Sequence, residues 1–172
     1  MNLNKSVRWL TTAALMSAAS FTGRLLFQSI PNVQPLTTII IICTLVFGFY
    51  FGSTVAILSI MISNLFLGMG IWTIAQIVAF LSICLITFVL KPILTKMPLL
   101  VLAIFAGLMG YWFGFIISLV QAPFFGIQKF WIYYLQGVSF DTFHAVGNTI
   151  FFLILYPVLT PLLNKIDIKK QP

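Results

Sequence analysis

Polar positions along this chain follow neither a helical nor a strand period; they gather at the ends of long apolar runs. In stretches such as Leu36 to Tyr50 and Leu99 to Leu119 the apolar residues occupy every side. A membrane-spanning barrel would instead alternate polar and apolar residues over segments of about ten. Cutting the chain at its charges, prolines and glycines predicts six helices, over 7–27, 36–50, 53–67, 73–90, 98–120 and 141–163. A hydrocarbon core of about 30 Å takes roughly 20 apolar helical residues to cross, so six spans use up the chain as one membrane domain, 1–172. The second and third segments are short and meet at Gly48-Phe49-Tyr50-Phe51-Gly52, where no charge intervenes. They are expected to form a helical hairpin. The fold class is therefore an all-α integral membrane protein, a six-transmembrane-helix bundle.

Composition sharpens this picture. Hydrophobic residues make up 61% and charged residues only 6%, against roughly 25% charged in an average soluble domain. The net charge of +7 forms no stripe suited to nucleic acid; it sits at segment ends. Lys5, Arg8, Lys91, Lys96, Lys165, Lys169 and Lys170 all fall on one side of a six-span layout, with only Arg24 and Lys129 on the other. The positive-inside rule makes the first side cytoplasmic and puts both termini there. Ala13 to Ser20 is weakly compatible with a signal-peptide cleavage site, but the apolar pattern continues past Arg24 into further spans, so the first segment is read as a retained helix. Cys43 and Cys84 lie in apolar runs, where a thiol behaves as a small hydrophobe, and no ligand set with metal spacing accompanies them.

The same layout sends three connections outward, 28–35, 68–72 and 121–140, and these hold most of the unusual polar residues. In the first, Pro31 and Pro35 are expected to hold the chain extended, so that Asn32 and Gln34 present amides from a stiffened backbone. A plain helix-breaking turn is the competing reading. Around the second lie Asn64, Gly68, Gly70, Trp72 and Gln76. A helix starting near Thr73 would put Trp72 and Gln76 one turn apart on one face, although Trp72 alone is equally an interfacial anchor. The third connection is rich in aromatics and is expected to be a partly helical lid.

The sixth span opens with Asp141, His144 and Asn148, on one helical stripe. Ionisable groups are costly within a span and should face the protein interior or an aqueous cavity. A proton relay and, for Asp141, a simple helix cap are both compatible with that spacing. Enzyme signatures are lacking: the sequence has no phosphate-binding glycine loop, no His-Glu-x-x-His and too few carboxylates for a paired acid and base. In the first span, Ala14 and Ala18 lie four apart and permit close approach of another helix, within the chain or from a partner.

In this order these residues resemble the S-components of energy-coupling factor (ECF) vitamin transporters, over nearly the whole chain. The resemblance rests on Ala14-Leu15-Met16-Ser17-Ala18, the loop Ile30 to Pro35 and the stretch Asn64 to Gln76. Arg24, then Ile30-Pro31-Asn32-Val33-Gln34-Pro35, then Gly68-x-Gly70-x-Trp72-Thr73-x-x-Gln76 looks most like the cobalamin-type branch. The resemblance implies a multi-pass protein of a bacterial plasma membrane that captures a vitamin at the outer face. Asn32, Gln34, Asn64, Trp72, Gln76, Gln136, Asp141 and His144 would line the site. Ala14 and Ala18 would dock on a transmembrane coupling subunit, and two cytoplasmic ATPase subunits would carry the ATP and magnesium, with no cofactor in this chain. Folate or queuosine-like ligands, a self-sufficient secondary transporter, and a membrane enzyme or assembly factor acting on lipids are the alternatives. No strong charged clamp is evident, which suits a bulky ligand held by amides, aromatics and shape.

Overall fold

A computed structural model describes residues 3–168, which form six helices and no strand. They are α1 (Leu3–Leu26), α2 (Leu36–Phe47), α3 (Phe49–Leu67), α4 (Ile71–Leu94), α5 (Leu99–Phe124) and α6 (Phe130–Asn164). Lys169 and Lys170, counted above for topology, lie outside the described residues. Successive helices run in opposite directions. The start of α1 and the segment after α6 therefore reach one pole, where Lys5 Nζ lies 3.1 Å from Asp167 Oδ1. That pair is exposed and contributes little energy, but it fixes which ends are together. Lys91 and Lys96, at the turn from α4 to α5, share this pole; Arg24 and Lys129 lie at the opposite one, called the polar pole below.

Four helices are long and apolar enough to cross a membrane: α3, α4, α5 and α6. These fit a multi-pass membrane protein. The expected six spans are not met one for one. Helix α1 has 24 residues but carries Lys5, Arg8 and Arg24 along with several hydroxyls, and α2 is strongly apolar but only 12 residues long.

Helix α2 organises the bundle. All twelve of its residues are buried, as expected of a helix that is hydrophobic all round. It touches every other helix, while α1, α3, α4, α5 and α6 follow one another around it as an open ring. The predicted hairpin is present, with its break at a single residue: Gly48 takes φ 100° and ψ 179°, a backbone conformation open to glycine and strained for other residues. The chain folds back so tightly there that a Cβ on Gly52 would fall on the Thr44 side chain.

The largest departure from expectation is the connection 121–140. Helix α5 continues to Phe124 with Pro123 in its last turn, and α6 is helical from Phe130, leaving only 125–129 between them. The aromatics that suggested a lid are the packing of an extended hairpin instead. Phe115 meets Phe130 at 5.8 Å and Tyr134 at 5.6 Å between ring centroids, and Tyr133 OH donates to Gln121 Oε1 at 3.3 Å. Below this tip the two helices touch backbone to backbone. A Cβ on Gly110 would sit 2.7 Å from the Ala145 nitrogen, and one on Gly107 would strike Thr149. Small residues at this spacing allow the close approach on which helix association in membranes depends.

The ring is open between α1 and α6, which make no direct helix contact. An apolar groove of about 250 Å³ lies there, walled by Met16, Ala19, Phe151 and Leu155 and floored by Pro35 and Ile39. The rings of Phe27 and Phe151, 4.9 Å apart, bridge it.

Candidate functional site

The polar pole is built by helices of unequal length. In the first turn of α2, Thr37 and Thr38 meet His144 and Asn148 of α6. The part of α6 ahead of His144, about 20 Å of helix, therefore rises beyond the start of α2. The predicted site residues all lie in this outer region, but in separate groups.

The first group joins α1, α3 and α4. Arg24 Nη1 donates to Ser63 Oγ at 2.6 Å and to Asn64 Oδ1 at 3.2 Å. Asn64, 1% exposed, passes the chain on: its Nδ2 donates to Thr73 Oγ1 at 2.9 Å and to Gln76 Oε1 at 2.8 Å. Gly70 N–H also donates to Thr73 Oγ1, at 3.3 Å, closing the first turn of α4. The helix begins at Ile71, two residues before the expected Thr73. Asn64 and Gln76 are thus brought together. Trp72 is not: its ring folds back over Gly70, its Nε1 donates to Gly68 O at 3.3 Å, and it is 45% exposed.

The second group lies between α2, α5 and α6. His144 is fully buried, with Nε2 2.7 Å from Thr37 Oγ1 and its ring 4.9 Å from that of Phe113. Asn148, also fully buried, donates from Nδ2 to Ala106 O at 3.3 Å, while Thr38 Oγ1 donates to its backbone carbonyl at 3.2 Å. His144 Nδ1 and Asn148 Oδ1 are enclosed and have no partner among the described residues. Asp141, 5% exposed, faces Gly114, where a Cβ would strike its carboxylate. It stands well inside α6, not at its start. The helix-cap reading of Asp141 is therefore wrong, because α6 begins eleven residues earlier, at Phe130.

The loop before α2 is not extended between its prolines. Consecutive turns fold it, with Ile30 N–H donating to Phe27 O and Val33 N–H to Ile30 O. Asn32 takes φ 60°, and Pro35 is already in the helical region as the cap of α2. The Asn32 amide is partly committed, as Nδ2 donates to Phe140 O at 3.0 Å. Gln34 is half-buried beside it. Gln136 is exposed on the outer turns of α6 and joins neither group.

On α1, the face bearing Ala13, Ser17 and Ser20 is buried; Ser17 Oγ bonds Ala13 O at 2.8 Å and reaches Val55 O of α3 at 3.5 Å. Ala14 and Ala18 are exposed on the other side. Both cysteines are free and buried, and no cluster of metal-ligating side chains occurs among the described residues. Sequence reasoning did not anticipate Ser63 and Thr73 as links of the first group, Thr37 as the partner of His144, or the glycine face of α5. The spacing Gly107, Gly110, Gly114 was a usable signal for the last of these. No protein-family model matches the chain, and comparison with curated proteins and with solved structures returns no match.

Proposed function

We propose that this chain is the substrate-binding S-component of an ECF-type importer in a bacterial plasma membrane, crossing it six times with both termini cytoplasmic. It captures a vitamin, with cobalamin the first choice, at the outer face. The observation that carries the reading is the joining of amide, hydroxyl and guanidinium groups by Arg24 and Asn64 at one pole, beside a central helix that stops short of it. A pole so built on an otherwise apolar bundle suits recognition of a polar solute arriving from one side. The lysines and the arginine at the opposite pole support its cytoplasmic placement. In this reading α1 and α2 cross the bilayer as parts of the assembled bundle, α2 shielded from lipid on all sides.

Moving the solute inward needs work, and the chain has neither a phosphate-binding loop nor several intramembrane charges to couple to an ion gradient. A transmembrane coupling subunit and two ATPase subunits supply that work, and the exposed Ala14 and Ala18 pair on α1 is where the coupling subunit packs. Ala14→Trp therefore leaves ligand binding intact while abolishing co-purification with the coupling subunit and uptake in cells. Loss of binding with assembly intact would put the docking face elsewhere. The ligand itself is identified by mass spectrometry of small molecules retained on the gently purified full chain.

A second reading draws on the burial of Asp141 and His144 one turn apart without an ion pair: a secondary carrier using them as proton sites. Uptake by the isolated chain in liposomes under an ion gradient favours the carrier; its absence there, with uptake restored by the partner subunits, favours the S-component.

A further inference from the structure

We infer that the α1–α3–α4 group at the polar pole is an oxyanion site, so that the ligand taken there presents a phosphate or carboxylate group. The inference rests on reading this pole as the ligand site, and it replaces the expectation of a ligand held without charge.

Donors and acceptors in this group are assigned outward from Arg24. A guanidinium has donors only, so Asn64 must turn its carbonyl oxygen toward it. That leaves the Asn64 amide nitrogen facing α4, and Gln76 must in turn offer its own oxygen there. Arg24 thereby sets the direction of the whole network, and each step consumes an acceptor. Ser63 Oγ accepts from Arg24 and spends its proton on Ile60 O at 3.2 Å. Thr73 Oγ1 accepts twice, from Asn64 and from the Gly70 N–H. Among the described residues, what remains unspent is donors: Nε and Nη2 of Arg24, the Gln76 Nε2 amide and the Thr73 hydroxyl proton. Thr73 lies in the first turn of α4, whose backbone carries the positive end of the helix dipole, and Gln76 lies in the next turn, joined to Arg24 through Asn64.

The charge is as one-sided as the hydrogen bonding. The chain has only two carboxylate side chains. Asp167 pairs with Lys5 at the opposite pole, and Asp141 belongs to α6, where it faces Gly114. Among the described residues Arg24 therefore has no counter-ion; its bonds are to neutral oxygens, and it is half-buried. A fixed cation with surplus donors on three side chains is complementary to an acceptor-rich anion, and an arginine fork binds phosphate or carboxylate through two parallel bonds. The anion comes either from a solute outside the cell or from the headgroup of an outer-leaflet phospholipid.

Full-length protein in dodecyl maltoside is titrated with inorganic phosphate at constant ionic strength, reading the thermal unfolding midpoint. Wild type shows a saturable rise that sodium chloride does not produce. Arg24→Gln weakens the response about tenfold or more and Arg24→Lys only partly, as expected for loss of charge-assisted bonds. Gln76→Met, which removes two surplus donors without touching the charge, weakens it several-fold and serves if Arg24→Gln does not fold. Equal phosphate responses in wild type and in the variants that fold overturn the inference. Native mass spectrometry after reconstitution with phosphatidylglycerol identifies the source: retained lipid that depends on Arg24 assigns the anion to a headgroup, and phosphate binding undiminished by the lipid assigns it to a solute. A retained vitamin that carries neither phosphate nor carboxylate sinks this inference but not capture. Phosphate binding that depends on Arg24, in a chain whose partners support no uptake, sinks the importer and not the anion site.

Discussion

The two polar groups at the outer pole use similar side chains to opposite ends. Between α2, α5 and α6, His144 and Asn148 are fully enclosed, and what is left over is one ring nitrogen and one amide oxygen with no route to solvent. Between α1, α3 and α4, the buried residues Ser63 and Asn64 are satisfied, and what is left over is donors on half-buried Arg24 and Gln76. Surplus hydrogen-bonding capacity in a sealed place adds cost and fixes register between helices; the same surplus in a reachable place is capacity for a ligand. On the proposed function, the sealed group serves the assembly of the bundle and the open one is where a ligand is recognised.

The backbone seam beneath the sealed group gives the largest expected effect. Gly110→Val puts a branched side chain where even a Cβ lies 2.7 Å from the Ala145 nitrogen and 2.8 Å from its Cα. Backbone cannot yield as a flexible side chain does, so α5 and α6 must separate, at a cost of about 3 kcal/mol. Thermal unfolding followed by size-exclusion chromatography in detergent should show a lowered midpoint or loss of the monodisperse peak. A midpoint within a degree or two of wild type would mean that the two helices do not pack at this distance.

His144→Ala is the middle case, and it separates the two groups directly. It removes a ring packed on Phe113 and the bond to Thr37 Oγ1. Hydrogen bonds between membrane helices average only about 0.6 kcal/mol, so most of an expected loss of about 2 kcal/mol comes from the cavity. Stability should fall while the phosphate response, or retention of the native ligand, stays within about twofold of wild type. Arg24→Gln, or Gln76→Met where that variant does not fold, should instead weaken the phosphate response. If His144→Ala abolished ligand retention at unchanged stability, the sealed group would have to open during binding, and the carrier reading would gain.

The outlines of the fold were legible because apolar runs of helical length leave little choice in lipid: every backbone group must be satisfied within its own segment. Five of the six predicted helices lie within a few residues of the expected bounds for that reason. The sixth was misread because Pro123, Gly126 and the polar residues after them carry the marks of a loop. Those marks describe a short turn at 125–129, and the aromatics beyond it stabilise helix through contacts with Phe115 that no local pattern reveals. The site was half legible. That Asn64 and Gln76 belong together follows from a short turn between two helices, so spacing alone points to it. That Arg24 commands both requires α1 to lie beside α3, a neighbour relation that skips α2 and has no signature in the order of the residues.

Gln136 is the smallest expected effect and the one that tests how far the ligand region extends. It was expected to line the site because it stood in a long outward loop, free to fold over the pole. In the structure most of that stretch is helix, and Gln136 projects from the outer turns of α6 as an exposed side chain outside both groups. Exposed polar positions on helices change stability by no more than about 0.5 kcal/mol when truncated, so Gln136→Ala should leave the unfolding midpoint where it is. Ligand retention and the phosphate response should also hold within about twofold, since the groups that hold the anion are carried by α1 and α4 and not by α6. A tenfold loss of retention, with the phosphate response unchanged, would mean that the ligand reaches from Arg24 to the tip of the α5–α6 hairpin. Only a large ligand could do so, and that single result would favour a cobalamin-sized molecule over a smaller vitamin.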